Sequence, residues 1–143
     1  ELIVADLPGA DRPTALRALS EHLAGVEPIR DADDLYNRLW EREQLGSTGI
    51  GSGVAIPHCK LDGLQKVILA IGICRREIDF DSPDDLPVRL LFLIVSPESE
   101  PAAHLQSLAA VSKWVKADEH VERILQMEDP EAIYEMLQQE SIE

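Results

Sequence analysis

Two stretches of the chain, Val67 to Cys74 and Val88 to Val95, are almost unbroken in aliphatic residues. A strand with one wet face alternates between apolar and polar residues, so stretches of this kind suit strands covered on both faces. Such strands need a packed layer above and another below. The layers available are helical. Asp11 is placed to cap a first helix with Pro13 in its opening turn, Leu16, Leu19 and Leu23 recur at helical spacing, and Gly25 ends the pattern. A second helix is predicted over 33–45, with acids at its start, Leu35, Leu39 and Trp40 on one stripe, Arg42 in its last turn and Gly46 just beyond.

A third helix is expected from Ala102 to about Lys116, after the turn Ser96 to Pro101, and places His104 in its first turn. A fourth follows through Val121, Ile124 and Leu125, and a fifth starts at Pro130 with Ile133, Met136 and Leu137 as its apolar stripe. Leu2 to Ala5 reads as a short edge strand, with turn material at Leu7-Pro8-Gly9. The expectation is an α/β fold in three layers, with a mixed sheet of about five strands flanked by helices on both faces. A chain of 143 residues fits one domain over 1–143 around one core, and its lack of an initial Met leaves open that it is a piece of a longer protein.

A net charge of −14 argues against a nucleic-acid or anionic-membrane partner, because either needs a basic surface. The apolar stretches are too short to cross a bilayer and the first residues lack a secretory pattern. Two cysteines without metal-type spacing fit a reducing compartment, so a soluble, cytoplasmic protein is expected.

Between the second helix and the first long strand, Gly46, Gly49, Gly51 and Gly53 fall within eight residues, which demands a shaped loop. The Lys-Ser/Thr of a P-loop is missing, since Ser52-Gly53 stands there, and the glycines do not make a dinucleotide fingerprint. What remains is either a structural turn or a concavity of backbone amides with the hydroxyls of Ser47 and Thr48. Val54 to Pro57 then forms a brief strand that ends at His58, whose neutral imidazole offers a ring nitrogen as nucleophile. His104, near unpaired amides of a helix start, and Arg42, with its bidentate fork, are the candidate anion-holding partners, with Ser107 one turn beyond His104. Each also has an ordinary reading, as a helix-surface residue or an answer to a helix dipole. Metal ligation by His58, Cys59, His104, His120 and His22 is disfavoured, because His58 and Cys59 point to opposite faces of an extended segment and no short ligand spacing is present. No metal or other cofactor is expected.

The segment Arg42-Glu43-Gln44-Leu45-Gly46-Ser47-Thr48-Gly49-Ile50-Gly51-Ser52-Gly53-Val54-Ala55-Ile56-Pro57-His58 closely resembles the signature of the fructose/mannitol-type (type-2) enzyme IIA domains of the phosphoenolpyruvate-dependent sugar phosphotransferase system. His104-Leu105-Gln106-Ser107-Leu108-Ala109 resembles the helix that carries that family's second active-site histidine, and the resemblance extends over the whole chain, equally to the nitrogen-regulatory branch. It implies that His58 accepts a phosphoryl group on its Nε2 (tele) nitrogen from the histidine phosphocarrier protein, while His104 and Arg42 stabilise the group in transfer. Thr48 and the loop, including Ser47 and Gly49, would assist, as would Ser107. The implied next partner is an enzyme IIB domain serving uptake of a sugar such as fructose or mannitol. In the regulatory branch the partners are instead target proteins such as kinases or potassium transporters. Cys59 departs from the small residue common after the histidine, which suggests sensitivity to oxidation.

Overall fold

The computed structural model describes residues 3–8, 11–24, 29, 31–116, 120–127 and 129–139. In chain order the elements are β1 (Ile3–Leu7), α1 (Arg12–Ala24), α2 (Ala32–Leu45), β2 (Gly49–Gly51), β3 (Val54–Ala55), β4 (His58–Leu61), β5 (Ile68–Ile78), β6 (Val88–Pro97), α3 (Pro101–Lys116), α4 (His120–Gln126) and α5 (Pro130–Gln139). The expected roles of Leu2, Gly9 and Gly25 fall outside the described residues, as does the side chain of Leu137.

Helix starts follow their caps. The Asp11 carboxylate accepts from the Thr14 amide at 3.0 Å, and the Asp31 carboxylate accepts from the amides of Asp33 and Asp34, so two otherwise orphaned N–H groups at the start of α2 are satisfied. At the far end of α2 the Gly46 amide bonds to the Glu43 carbonyl, and Gly46 turns the chain out of the helix with φ +154°.

The sheet is mixed. Among the described residues its six strands run in the order β1-β5-β6-β3-β2, with β4 also paired to β6. β1 lies parallel on one edge beside β5, β5 and β6 pair antiparallel, β3 and β4 both run parallel to β6, and β2 folds back antiparallel on β3. The count exceeds the expected five because β3 and β4 share one lane: Val54 pairs with Leu90 and Ala55 with Leu91, and His58 with Ile94 and Cys59 with Val95 keep the same offset. Pro57, lacking an N–H, interrupts that lane. His58 therefore opens β4 rather than closing the preceding strand, which corrects the sequence expectation.

The three-layer reading holds. Along β6, Leu91, Leu93 and Val95 join the cluster of Leu16, Leu19, Leu35 and Leu39 beneath α1 and α2. Leu90, Phe92 and Ile94 point the other way, into Val111, Trp114, Ile124, Ile133 and Met136 of α3, α4 and α5. All six strand residues are fully buried. At about 25 cal/mol per Å² of apolar surface, two such faces supply the dominant favourable contribution to folding. On β5, a Cβ at Gly72 would sit 2.9 Å from Leu7 and 3.2 Å from Leu19, so glycine there admits the close approach of β1 and α1.

Candidate functional site

His58 is half-buried at the start of β4, where Pro57 ends the preceding strand segment. Its Nδ1 lies 2.8 Å from the Ile56 carbonyl. A carbonyl only accepts, so Nδ1 carries the proton and Nε2 presents a lone pair. Onto that lone pair Arg42 donates from Nε at 3.2 Å, while its terminal nitrogen donates to the Gly46 carbonyl at 2.8 Å. Arg42 thus reaches the histidine from the last turn of α2. His104 arrives from the other helical layer, with its ring centroid 5.3 Å from that of His58 and the planes inclined by 57°. It is buried, and its Nδ1 meets the Ser96 hydroxyl at 2.7 Å. The ring is anchored to the end of β6, so it does not merely cover the helix surface.

Both imidazoles are held below the ordinary histidine pKa. Burial is the main cause at His58, with the positive charges of Arg42 and Lys60 adding to it and the bond to the Ile56 carbonyl opposing. At His104 burial again leads, followed by His58 and Lys60. Each ring accordingly stays neutral at pH values where a free imidazole is already gaining a proton. Lys60, exposed and two residues beyond His58 on the same side of β4, is a cation the sequence reading passed over; the two-residue strand period was the available signal.

The loop itself is tied inward. Ser47 donates its hydroxyl to the Phe80 carbonyl and accepts the Gly49 amide at 3.0 Å. Thr48 donates its hydroxyl to Glu43, whose carboxylate also receives the Thr48 amide at 3.3 Å and Arg12 at 3.2 Å. The Ser52 amide bonds to Asp84 at 2.9 Å, so the β5–β6 connection braces the loop from outside. Gly49 is sterically required, because a Cβ there would fall 2.3 Å from the Ser82 hydroxyl and 3.1 Å from the Ser82 Cβ. The structure brings His58, His104 and Arg42 together and engages Ser47, Thr48 and Gly49 in holding the loop. Ser107 instead lines a cavity of about 640 Å³ between α3, β5 and Tyr134 of α5, one whose walls include none of the three.

Cys59 points away from His58 into the core beneath α1 and α2. Burial pushes its thiol up to about 12, which opposes formation of the thiolate that oxidants attack, so the expected oxidation sensitivity finds no support in its surroundings. Cys74 is likewise buried. No described helix is long and apolar enough to cross a membrane. Leu45, at the end of α2, and Leu105, next to His104 in α3, are 85% and 66% exposed.

A mixed sheet thus lies between two helical layers, and two imidazoles and a guanidinium converge at one strand start. The family described as "Phosphoenolpyruvate-dependent sugar phosphotransferase system, EIIA 2" matches residues 1–140, and the chain belongs to it. It is 34% identical over 134 residues to a nitrogen regulatory protein of Pseudomonas aeruginosa, covering 94% of this chain and 87% of the relative. A fructose-specific EIIA component of Haloferax volcanii is also 34% identical, over 137 residues, covering 96% and 89%. The crystal structure of the nitrogen regulatory protein IIA-Ntr from Neisseria meningitidis superposes with a TM-score of 0.88 at 29% identity, covering 96% of this chain and 94% of that one.

Proposed function

We propose that this domain is a phosphocarrier in which His58 Nε2 takes a phosphoryl group from the phosphohistidine of a histidine phosphocarrier protein and passes it on. The observation that carries this reading is the bond from Nδ1 to the Ile56 carbonyl, which leaves Nε2 unprotonated. In the transfer, the Nε2 lone pair forms a bond to phosphorus as the donor's P–N bond breaks, and that electron pair returns to the donor ring. The Nδ1 proton stays on the ring, donated in a hydrogen bond to the Ile56 carbonyl, which stabilises the positive charge developing there. Arg42 turns from Nε2 to the equatorial oxygens, and His104, with Ser96 donating to its Nδ1, donates from Nε2 to the same group. This is the positioning and electrostatic stabilisation that phosphoryl transfer needs. Ser47, Thr48 and Gly49 serve it by shaping the loop, and the exposed Leu45 and Leu105 offer an apolar rim for protein partners.

Two destinations fit a IIA domain: an enzyme IIB domain for sugar uptake, or target proteins whose binding changes when His58 gains the phosphoryl charge. The similarity to nitrogen regulatory proteins favours keeping the second beside the first. Incubation with phosphoenolpyruvate, enzyme I and the histidine phosphocarrier is expected to add one acid-labile phosphoryl group by intact mass, and none in His58→Ala. A label that persists in that variant overturns the assignment. Onward transfer to a purified IIB domain marks transport, and its failure alongside phosphorylation-dependent capture of a target marks regulation.

A further inference from the structure

Glu43 is hard to explain from its own helix. An acid in the last turn of α2 faces the negative end of the helix dipole, and its side chain is wholly buried, where a charge needs compensation. Its compensation is a line of hydrogen bonds that leads to the histidine. Arg12, stationed over the rings of Trp40 and Phe80, donates to Oε1 at 3.2 Å. Thr48 donates twice to the same carboxylate, its amide to Oε1 at 3.3 Å and its hydroxyl to Oε2. With its amide and side chain fixed in this way, Thr48 aims its carbonyl at the Ile56 amide, which bonds to it at 2.9 Å. Ile56, so held, presents its own carbonyl to His58 Nδ1 at 2.8 Å.

We propose that Glu43 is a positioning residue that keeps the His58 proton on Nδ1, acting through Thr48 and Ile56, and so keeps Nε2 free. It touches neither His58 nor a phosphoryl group. A general precedent in kind is the partner that fixes a metal-bound imidazole, whose loss costs about 10–100-fold in affinity or activity. The kinetic consequence rests on the phosphocarrier reading; the tautomer does not.

The test uses ring-nitrogen NMR of the unphosphorylated chain, reading the tautomer of His58 in the wild type, Glu43→Gln, Thr48→Val and Thr48→Ser, alongside phosphorylation rates. The wild type and Thr48→Ser are expected to show the Nδ1–H form. Glu43→Gln and Thr48→Val are expected to show a mixture with the Nε2–H form, and a transfer rate lower by about tenfold or more with the donor KM changed less than about twofold. Thr48→Val removes one hydroxyl and keeps the side-chain shape, so it decides the matter if Glu43→Gln does not fold. A folded Thr48→Val with the wild-type tautomer overturns the proposal. If wild-type His58 accepts no phosphoryl group, the functional reading falls, while the tautomer comparison still decides the role of Glu43.

Discussion

Strand β6 and the segment from Arg42 to His58 share one sheet, yet different physics holds them. From Leu90 to Val95, β6 is ordered by burial: its side chains alternate between two dry layers, and any well-packed aliphatic residue of similar volume serves there. The neighbouring segment is ordered by specific donors and acceptors, from Asp84 and Phe80 on one side and Glu43 on the other, around Gly49, where a Cβ would collide with Ser82. The contrast teaches where each kind of damage is felt. A core lesion lowers stability while the folded fraction keeps its chemistry; a loop lesion disturbs the chemistry in a chain that still folds.

The largest test of that division is Phe92→Ala. Phe92 is fully buried and meets Trp114 edge-on at 5.6 Å, so its truncation is expected to cost about 3–5 kcal/mol in urea unfolding. The surviving folded protein should accept phosphate at nearly the wild-type rate; a rate loss beyond the folded fraction would break the comparison. Gly49→Ala comes next. The new methyl collides with Ser82, and overpacking of this kind costs about 1–3 kcal/mol. Because the collision is with the brace of the loop, transfer should slow as well, and Ser82→Gly in the same chain should restore part of both. Full additivity of the two substitutions would show that Ser82 is not the obstacle.

Ser96→Ala is a smaller step. It leaves the buried His104 Nδ1 without its partner, at about 1–3 kcal/mol for an unsatisfied group, and frees the ring to turn. Phosphorylation should slow several-fold with donor affinity unchanged, and Ser96→Thr should recover it. A rate equal to wild type in Ser96→Ala would remove Ser96 from the site.

What could be read in the sequence follows the same boundary. β5, β6 and the helices were legible because unbroken aliphatic stretches, helical spacing and capping are local signals, and Asp11 and Asp31 both cap where helices begin, although Asp31 lay just outside the expected start. His58, Arg42 and His104 were legible as candidates, but their meeting was not, since it depends on α2 and α3 approaching one strand start from opposite layers. Ser96 gave no signal, standing as one more strand-end hydroxyl before a proline. Glu43 gave a faint one: an acid placed against the helix dipole asks for a partner, and only the fold supplies Thr48 and Arg12. The connection from Asp79 to Pro87 drew no expectation from the sequence, and Phe80 and Asp84 in it hold the loop.

The mildest prediction concerns pH, and it joins the two regions, since burial lowers the histidine pKa values while the site uses the result. His58 and His104 have folded pKa values below the unfolded value of about 6.5. In the window between the two values the unfolded chain binds more protons than the folded one, so stability rises with pH there. The contribution is complete above about pH 6.5 and is lost as pH falls through the lowered folded values. Denaturant titrations of the wild type from pH 7.5 downward should show this decline, and His58→Gln should shallow it whatever its offset at pH 7.5. In parallel, the acid limb of the phosphorylation rate should lie below pH 6.5, because the nucleophile stays neutral beyond the point where a free imidazole protonates. An acid limb at or above 6.5, with the stability slope unchanged in His58→Gln, would mean that the ring is solvated like a surface histidine and that burial does not tune it.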